Sequence, residues 1–223
     1  MKKKNIILGL GLFLAVGLVL SSCTKNDDST IVPIGTEDYV KPFTSVVDLV
    51  FSSVPEATKT QFLQDFGDLP DGPVPPKIEG SFKMSPKQRV ATNTGLPVPT
   101  IEQPDLLLRF SNQHNELIQL DLNESTENFS DTVFVRGNDN AFTVYFIENK
   151  AYEVPLGGAV YHVKMERGVI MKGKMTDRGI SDFRYATIVK KAEDDSGGLI
   201  DQYDSGTYFI YKDGDGVAEK FDW

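Results

Sequence analysis

One cysteine, two histidines and one tryptophan in 223 residues leave several kinds of chemistry with little to work with. A single thiol makes no intrachain disulfide, so stability has to come from packing. A nucleophilic triad needs a base, usually histidine. His114 falls in the polar turn stretch "NQHN" and His162 on the polar phase of "AVYHVKM", so both read as solvated. Basic residues are outnumbered 23 to 32, for a formal net charge of −9, and they form no cluster with aromatics. Nucleic acid is therefore not expected as a partner. No Gly-rich phosphate loop or dinucleotide fingerprint is present. Asp213 and Asp215 have calcium-loop spacing, but the next ligand position holds Val217, and two Asp-Gly pairs suit a hairpin turn better. The loop "AEDDSGG" (192–198) likewise reads as solvated. The chain is expected to be no enzyme and to hold no metal or cofactor, although paired carboxylates for glycoside hydrolysis are recognised only by their separation in space.

What is present starts at the N terminus. Lys2, Lys3 and Lys4 precede an apolar run from Ile6 to Leu20 and then small residues, the three regions of a signal peptide over 1–22. The run is shorter than the roughly 20 residues a membrane-spanning helix needs, and Gly9, Gly11 and Gly17 interrupt it. Leu20-Ser21-Ser22-Cys23 resembles the bacterial lipobox, which implies that Cys23 becomes the lipidated first residue of the mature protein. Each acyl methylene would then add about 0.8 kcal/mol to membrane anchoring. Loss of the leader lysines takes the net charge from −9 to −12, a balance that favours solubility and disfavours anionic headgroups.

Residues 23–38 read as a flexible tether. Its Lys25, Asp27 and Asp28 resemble the signal that sends Bacteroidota lipoproteins to the outer leaflet of the outer membrane. This implies an outer-membrane anchor and surface display, with a periplasm-facing anchor as the alternative. Ser29 in Asp28-Ser29-Thr30 and Thr132 in Asp131-Thr132-Val133 fit the short O-glycosylation pattern of that envelope.

Past the tether, a helical segment is expected over 39–76. Phe43, Val46, Val47, Val50, Phe51 and Val54 share one helical face. Ser53 with Glu56 has capping-box spacing for a second helix, with Pro55 in its first turn and Gly67 at its end. "GDLPDGPVPP" (67–76) breaks the helical register. From 77 to 223 the signals are strands: Leu106, Leu108 and Phe110; Ile118, Leu120 and Leu122; Phe142, Val144 and Phe146; Ala159 to Met165; and Val169 to Met175 all alternate. The intervening turns are expected at 111–116, 137–140 and Arg167-Gly168. Further strands are expected near 80–92, 131–136, 182–191, 206–212 and 217–222, about ten short strands in all.

Successive hairpins imply antiparallel neighbours, and so many strands expose edges unless the sheet closes or splits into layers. The expectation is one mainly β domain, an antiparallel up-and-down barrel of about 8–10 strands with two helices across one end; a β-sandwich is the alternative. Gly80-Ser81-Phe82 resembles the Gly-x-Trp signature of lipocalins, with Phe in place of Trp.

Four stretches resemble a group of uncharacterised Bacteroidota envelope lipoproteins: "PPKIEGSFKMSP", "LLLRFSNQ", "GISDFRYATIVKKAED" and "YKDGDGVAE". The resemblance implies an envelope-anchored β domain and brings no catalytic residues. The expected function is a non-catalytic binding module for a small hydrophobic or extended ligand. Phe82, Phe110, Phe142, Phe146, Tyr161, Met165 and Met171 either line a pocket or fill it. The alternative is an interaction protein touching envelope proteins or glycans, for which Tyr203 and Trp223 are candidate stacking residues.

Overall fold

The computed structural model describes residues 46–96, 98, 103–124, 127–156, 159–194 and 204–223, all within Pro42–Trp223, the second of two units in the chain. Leu20, Ser21, Ser22, Cys23, Lys25, Asp27, Asp28, Ser29 and Tyr203 lie outside the described residues.

Two helices come first, α1 (Val46–Phe51) and α2 (Glu56–Phe66). α1 is shorter than the apolar periodicity predicts: it stops at Phe51, and Val54 is buried in the turn beyond it. The expected capping box does not form. Pro55 precedes α2 without any side-chain cap, because its fixed φ already sets the entry conformation. The Ser53 hydroxyl instead donates to the Lys190 carbonyl, 3.3 Å away. Gly67 ends α2 as its sequence position predicts, at φ +86 with its N–H on the Leu63 carbonyl. Arg184 donates to the carbonyls of Asp65 and Phe66, and Lys172 to that of Asp68, so two wall cations meet the electronegative end of the helix.

The strands are β1 (Gly80–Met84), β2 (Lys87–Thr92), β3 (Leu106–His114), β4 (Leu117–Glu124), β5 (Glu127–Asn138), β6 (Ala141–Leu156), β7 (Ala159–Met175), β8 (Gly179–Asp194), β9 (Tyr208–Asp213) and β10 (Val217–Lys220). All pairings between them are antiparallel, and β10 joins both β1 and β8, which closes the sheet into a ring. β1 and β2 act as one bent strand, β9 and β10 as another. Phe82 faces Lys220 on one side of the bend and Lys87 faces Asp213 on the other, while β8 pairs with β9 and β10 in turn. The molecule is an up-and-down barrel, as the alternation predicts.

Three expectations about the strands need correction. Arg167-Gly168 is no turn: β7 runs unbroken through it, paired with β6 from Ala159 to Lys174. Gly168 is there because α1 presses on the wall. A Cβ at that position would sit 2.4 Å from Cγ1 of Val50. The segment 111–116 is mostly strand, with β3 reaching His114 and only Asn115 and Glu116 turning. Asp213–Gly216 does turn the chain, but it joins β9 to β10, which pair with β1, β2 and β8 and not with each other.

The alternation separates two apolar faces. Inside the ring, Phe82, Leu108, Phe110, Leu120, Phe142, Val144 and Met171 are at most 1% exposed. On the outer wall, Tyr145, Ile170, Ala186, Ile188, Tyr208 and Ile210 pack against Val50, Phe51, Phe62 and Phe66. The helices therefore cover the outer wall; the expectation that they lie across one end of the barrel is not met. The physical reason is that β6–β9 are apolar on both faces there, and an apolar outer face has to be covered. Burial pushes the Tyr145 hydroxyl up to about 12.

The two barrel ends differ. Short turns at Asn115–Glu116, Asp139–Asn140 and Thr176–Arg178 form one, the turn end. At the other, the loop end, β5 parts from β6. Their pairing covers only Phe134–Asn138 against Ala141–Tyr145. Among the described residues, β5 from 127 to 133 pairs with β4 alone and β6 beyond Tyr145 with β7 alone. The Phe129 and Phe146 rings stack across this seam at 4.4 Å.

Candidate functional site

The alternation of β1 places Phe82 and Met84 inside the barrel. Continued into β2 it would place Gln88 and Val90 inside as well. The bend between Met84 and Lys87 shifts that phase by one residue, so Val90 packs on the outer cluster and Lys87 turns inward, 1% exposed. Its ammonium pairs with the Glu124 carboxylate at the end of β4. It also lies 4.6 Å from the centre of the Tyr211 ring and 5.9 Å from that of Tyr185. The two rings stack at 5.7 Å, and their faces attract the cation electrostatically.

Arg89, two residues on, faces the barrel beside Tyr211, its register partner on β9. Burial raises the Tyr211 hydroxyl above its ordinary value, and the nearby Arg89 and Arg167 guanidiniums oppose that shift. Arg167 comes from β7 and donates from Nε and Nη2 to Oε1 of Glu148, at 2.9 and 2.6 Å. Lys150 reaches the other oxygen of Glu148 at 3.6 Å. Toward the loop end these charged and aromatic groups join Met84, Leu106 and Leu122, while the turn-end half is filled with Phe, Leu, Val and Met alone.

Asp213 stands where both bent strands change direction. Its carboxylate accepts from the backbone N–H of Ser85, Asp215 and Gly216, and Gly214 N–H donates to Pro86 O at 2.8 Å. Asp213 is 2% exposed. Burial, together with the Asp215 carboxylate beside it, pushes its carboxyl up to about 6, and Asp215 shifts the opposite way. Here the calcium-loop spacing serves as the clamp that holds the two bends together.

Compared with family models, curated proteins and solved structures, the chain matches none.

Of the aromatic and sulfur side chains expected to line or fill a pocket, Phe82, Phe110, Phe142 and Met171 fill the barrel core, and Phe146 closes the seam. Tyr161 and Met165 belong to a separate small cluster with Val163 and Val189. His114 is exposed, and so is His162, near Glu153. Thr132 is exposed on β5, its hydroxyl donating to Gln119. Among the described residues no group of three or more His, Asp or Glu is placed to hold a metal. Sequence reasoning missed Lys87, Glu124, Tyr185, Tyr211, Arg167 and Glu148. Glu124, Glu148 and Arg167 continue the inward phase of Leu122, Phe146 and Val169, whereas the inward turn of Lys87 depends on the phase shift at Ser85-Pro86, a residue pair that interrupts alternation. No local pattern shows that strands from opposite ends of the chain bring these side chains together.

Proposed function

We propose that this protein is a non-catalytic binding module, tethered to the outer membrane through a lipidated Cys23 and displayed at the cell surface, that takes a small ligand at the loop end of its barrel. The lipobox and the acidic tether support the location. The observation that carries the binding reading is Lys87, a charged side chain turned into the barrel at 1% exposure. Burying a charge costs several kcal/mol before its partner repays it, and packing alone gives no reason to place one there. A barrel of about eight strands either fills its interior or encloses one small molecule. With the turn-end half filled, the ligand seats in the loop-end half. The Tyr185 and Tyr211 rings supply flat apolar contact, and the Lys87–Glu124 and Arg167–Glu148 pairs orient its polar groups.

The test is native mass spectrometry of the full-length protein recovered from its own envelope, beside the double variant Lys87→Met/Glu124→Gln. The wild type is expected to carry a small molecule of defined mass that the double variant lacks. A bare wild-type mass, or the same adduct on both proteins, refutes the site. Surface display is tested separately by adding protease to intact cells; a domain that survives until lysis places the anchor facing inward.

A further inference from the structure

The helices cover the outer wall along β6–β9 and reach Phe134 of β5, while Arg109, Ser130 and Thr132 on the outer face of β3–β4–β5 are exposed. The register sets that face out in rows. Ser81, Arg109, Asp121 and Ser130 lie side by side across β1, β3, β4 and β5. Ser111, Gln119 and Thr132 form the next row on one side, and Lys83, Leu107, Asn123 and Asn128 the next on the other. With strands about 4.8 Å apart, a four-strand row spans about 14 Å. Apart from Arg109, Asp121 and Lys83, this face carries mainly short hydroxyls and amides.

These side chains are held to one another. Arg109 donates to Oδ2 of Asp121 from Nε and Nη2, at 2.9 and 2.7 Å. Ser130 Oγ donates to Oδ1 of Asp121 at 2.6 Å, Gln119 Nε2 to Ser130 Oγ at 3.2 Å, and Thr132 Oγ1 to Gln119 Oε1 at 3.3 Å. The Ser130 hydrogen bond and the Arg109 charge hold the Asp121 carboxyl below its ordinary range, so it remains an acceptor at neutral pH. At the border of the face, Phe221 N–H donates to Ser81 O and brings in Trp223. That indole is 48% exposed, and the Arg109 guanidinium lies 5.1 Å from its ring centre.

We propose that this face binds a neutral saccharide chain, with Trp223 as the stacking platform and Asp121, Ser130, Gln119 and Arg109 as the hydroxyl partners. Sugar hydroxyls both donate and accept, and the row offers both in alternation. Arg109 and Asp121 neutralise each other, which suits an uncharged ligand. A nucleic acid needs clustered cations, and a protein interface needs an apolar core; the large apolar side chains exposed here are Trp223 and Leu117, at opposite borders. This site lies outside the barrel and does not depend on the loop-end site.

Trp223 is the only tryptophan in the chain, so intrinsic fluorescence reports directly on this face. The full-length protein is screened on an array of neutral and anionic glycans. Any glycan retained is then titrated, as a soluble oligosaccharide, against tryptophan emission. Retention of a neutral glycan with a change in emission is expected. Trp223→Ala and Asp121→Asn should each weaken retention about tenfold, with the variants still folding cooperatively and the loss of the exposed Arg109 pair lowering the melting temperature only slightly. Failure to retain any neutral glycan, retention of anionic glycans alone, or retention as strong as wild type by both variants overturns the proposal. Each of these results leaves the loop-end adduct seen in native mass spectrometry unaffected, so the two sites fail independently.

Discussion

Removing the partners of the Lys87–Glu124 pair one at a time should cost unequal amounts, because the two side chains are buried to different extents. Lys87 is 1% exposed and Glu124 is 25% exposed. Lys87→Met leaves a carboxylate that already meets water and needs little movement to meet more, so about 1.5 kcal/mol is expected. Glu124→Gln leaves the ammonium facing a neutral amide and the Tyr185 and Tyr211 rings, where about 3 kcal/mol is expected. The double variant Lys87→Met/Glu124→Gln removes both charges and fills the space with a side chain of similar volume, so it should lie within about 1 kcal/mol of the wild type. The implied coupling is about 4 kcal/mol. Urea unfolding of all four proteins, followed by far-ultraviolet circular dichroism, measures it. Lys87→Met costing more than Glu124→Gln, or a coupling below about 0.5 kcal/mol, would refute the argument that this is a buried charge pair.

Three further outcomes follow from particular contacts. Gly168→Ala drives a methyl into Val50 of α1 and should cost about 2 kcal/mol; adding Val50→Ala should raise the melting temperature of that variant, and a further drop would remove the close-approach explanation. The Asp213 carboxyl, pushed up to about 6, takes up a proton in the folded state before it does in the unfolded chain. Its contribution to stability is full below the ordinary aspartate range and is lost as pH rises through about 6. Urea midpoints of wild type and Asp213→Asn, compared from pH 4 to 7, should therefore diverge across that window, and parallel profiles would contradict the shift. Phe62 is fully buried among Phe51, Phe66 and Tyr208, so Phe62→Ala should cost about 3 to 5 kcal/mol, with α2 amides losing hydrogen-exchange protection before the barrel strands; a cost under about 1 kcal/mol would mean that the helix is not held by this cluster.

Much of the barrel was legible because alternation is a local property. Leu106, Leu108 and Phe110, or Phe142, Val144 and Phe146, point the same way whatever lies around them, and each trio is inside the barrel. Glycine was the less dependable signal. At Gly67 it ends the helix at a positive φ, as the sequence suggests. At Gly168 it marks the approach of another element, which no local pattern distinguishes from a turn. Ser53 and Glu56 show the same limit: their spacing suits a capping box, yet Ser53 is engaged by Lys190, more than a hundred positions away. Polar residues such as Gln119, Asp121, Ser130 and Thr132 read singly as surface, and only the register aligns them into a face.

By itself, the sequence determined the mainly β class, the antiparallel connectivity, the inward apolar trios of the barrel core and the separation of helices from strands, because each follows from short-range periodicity and from where glycine and proline can sit. Tertiary structure alone decided which face the helices cover, the inward turn of Lys87 and the pairing of β10 with both β1 and β8. The reason is that closure brings together strands from opposite ends of the chain. The bends at Ser85-Pro86 and Asp213–Gly216, clamped by the Asp213 carboxylate, set a side-chain phase that neither strand carries alone.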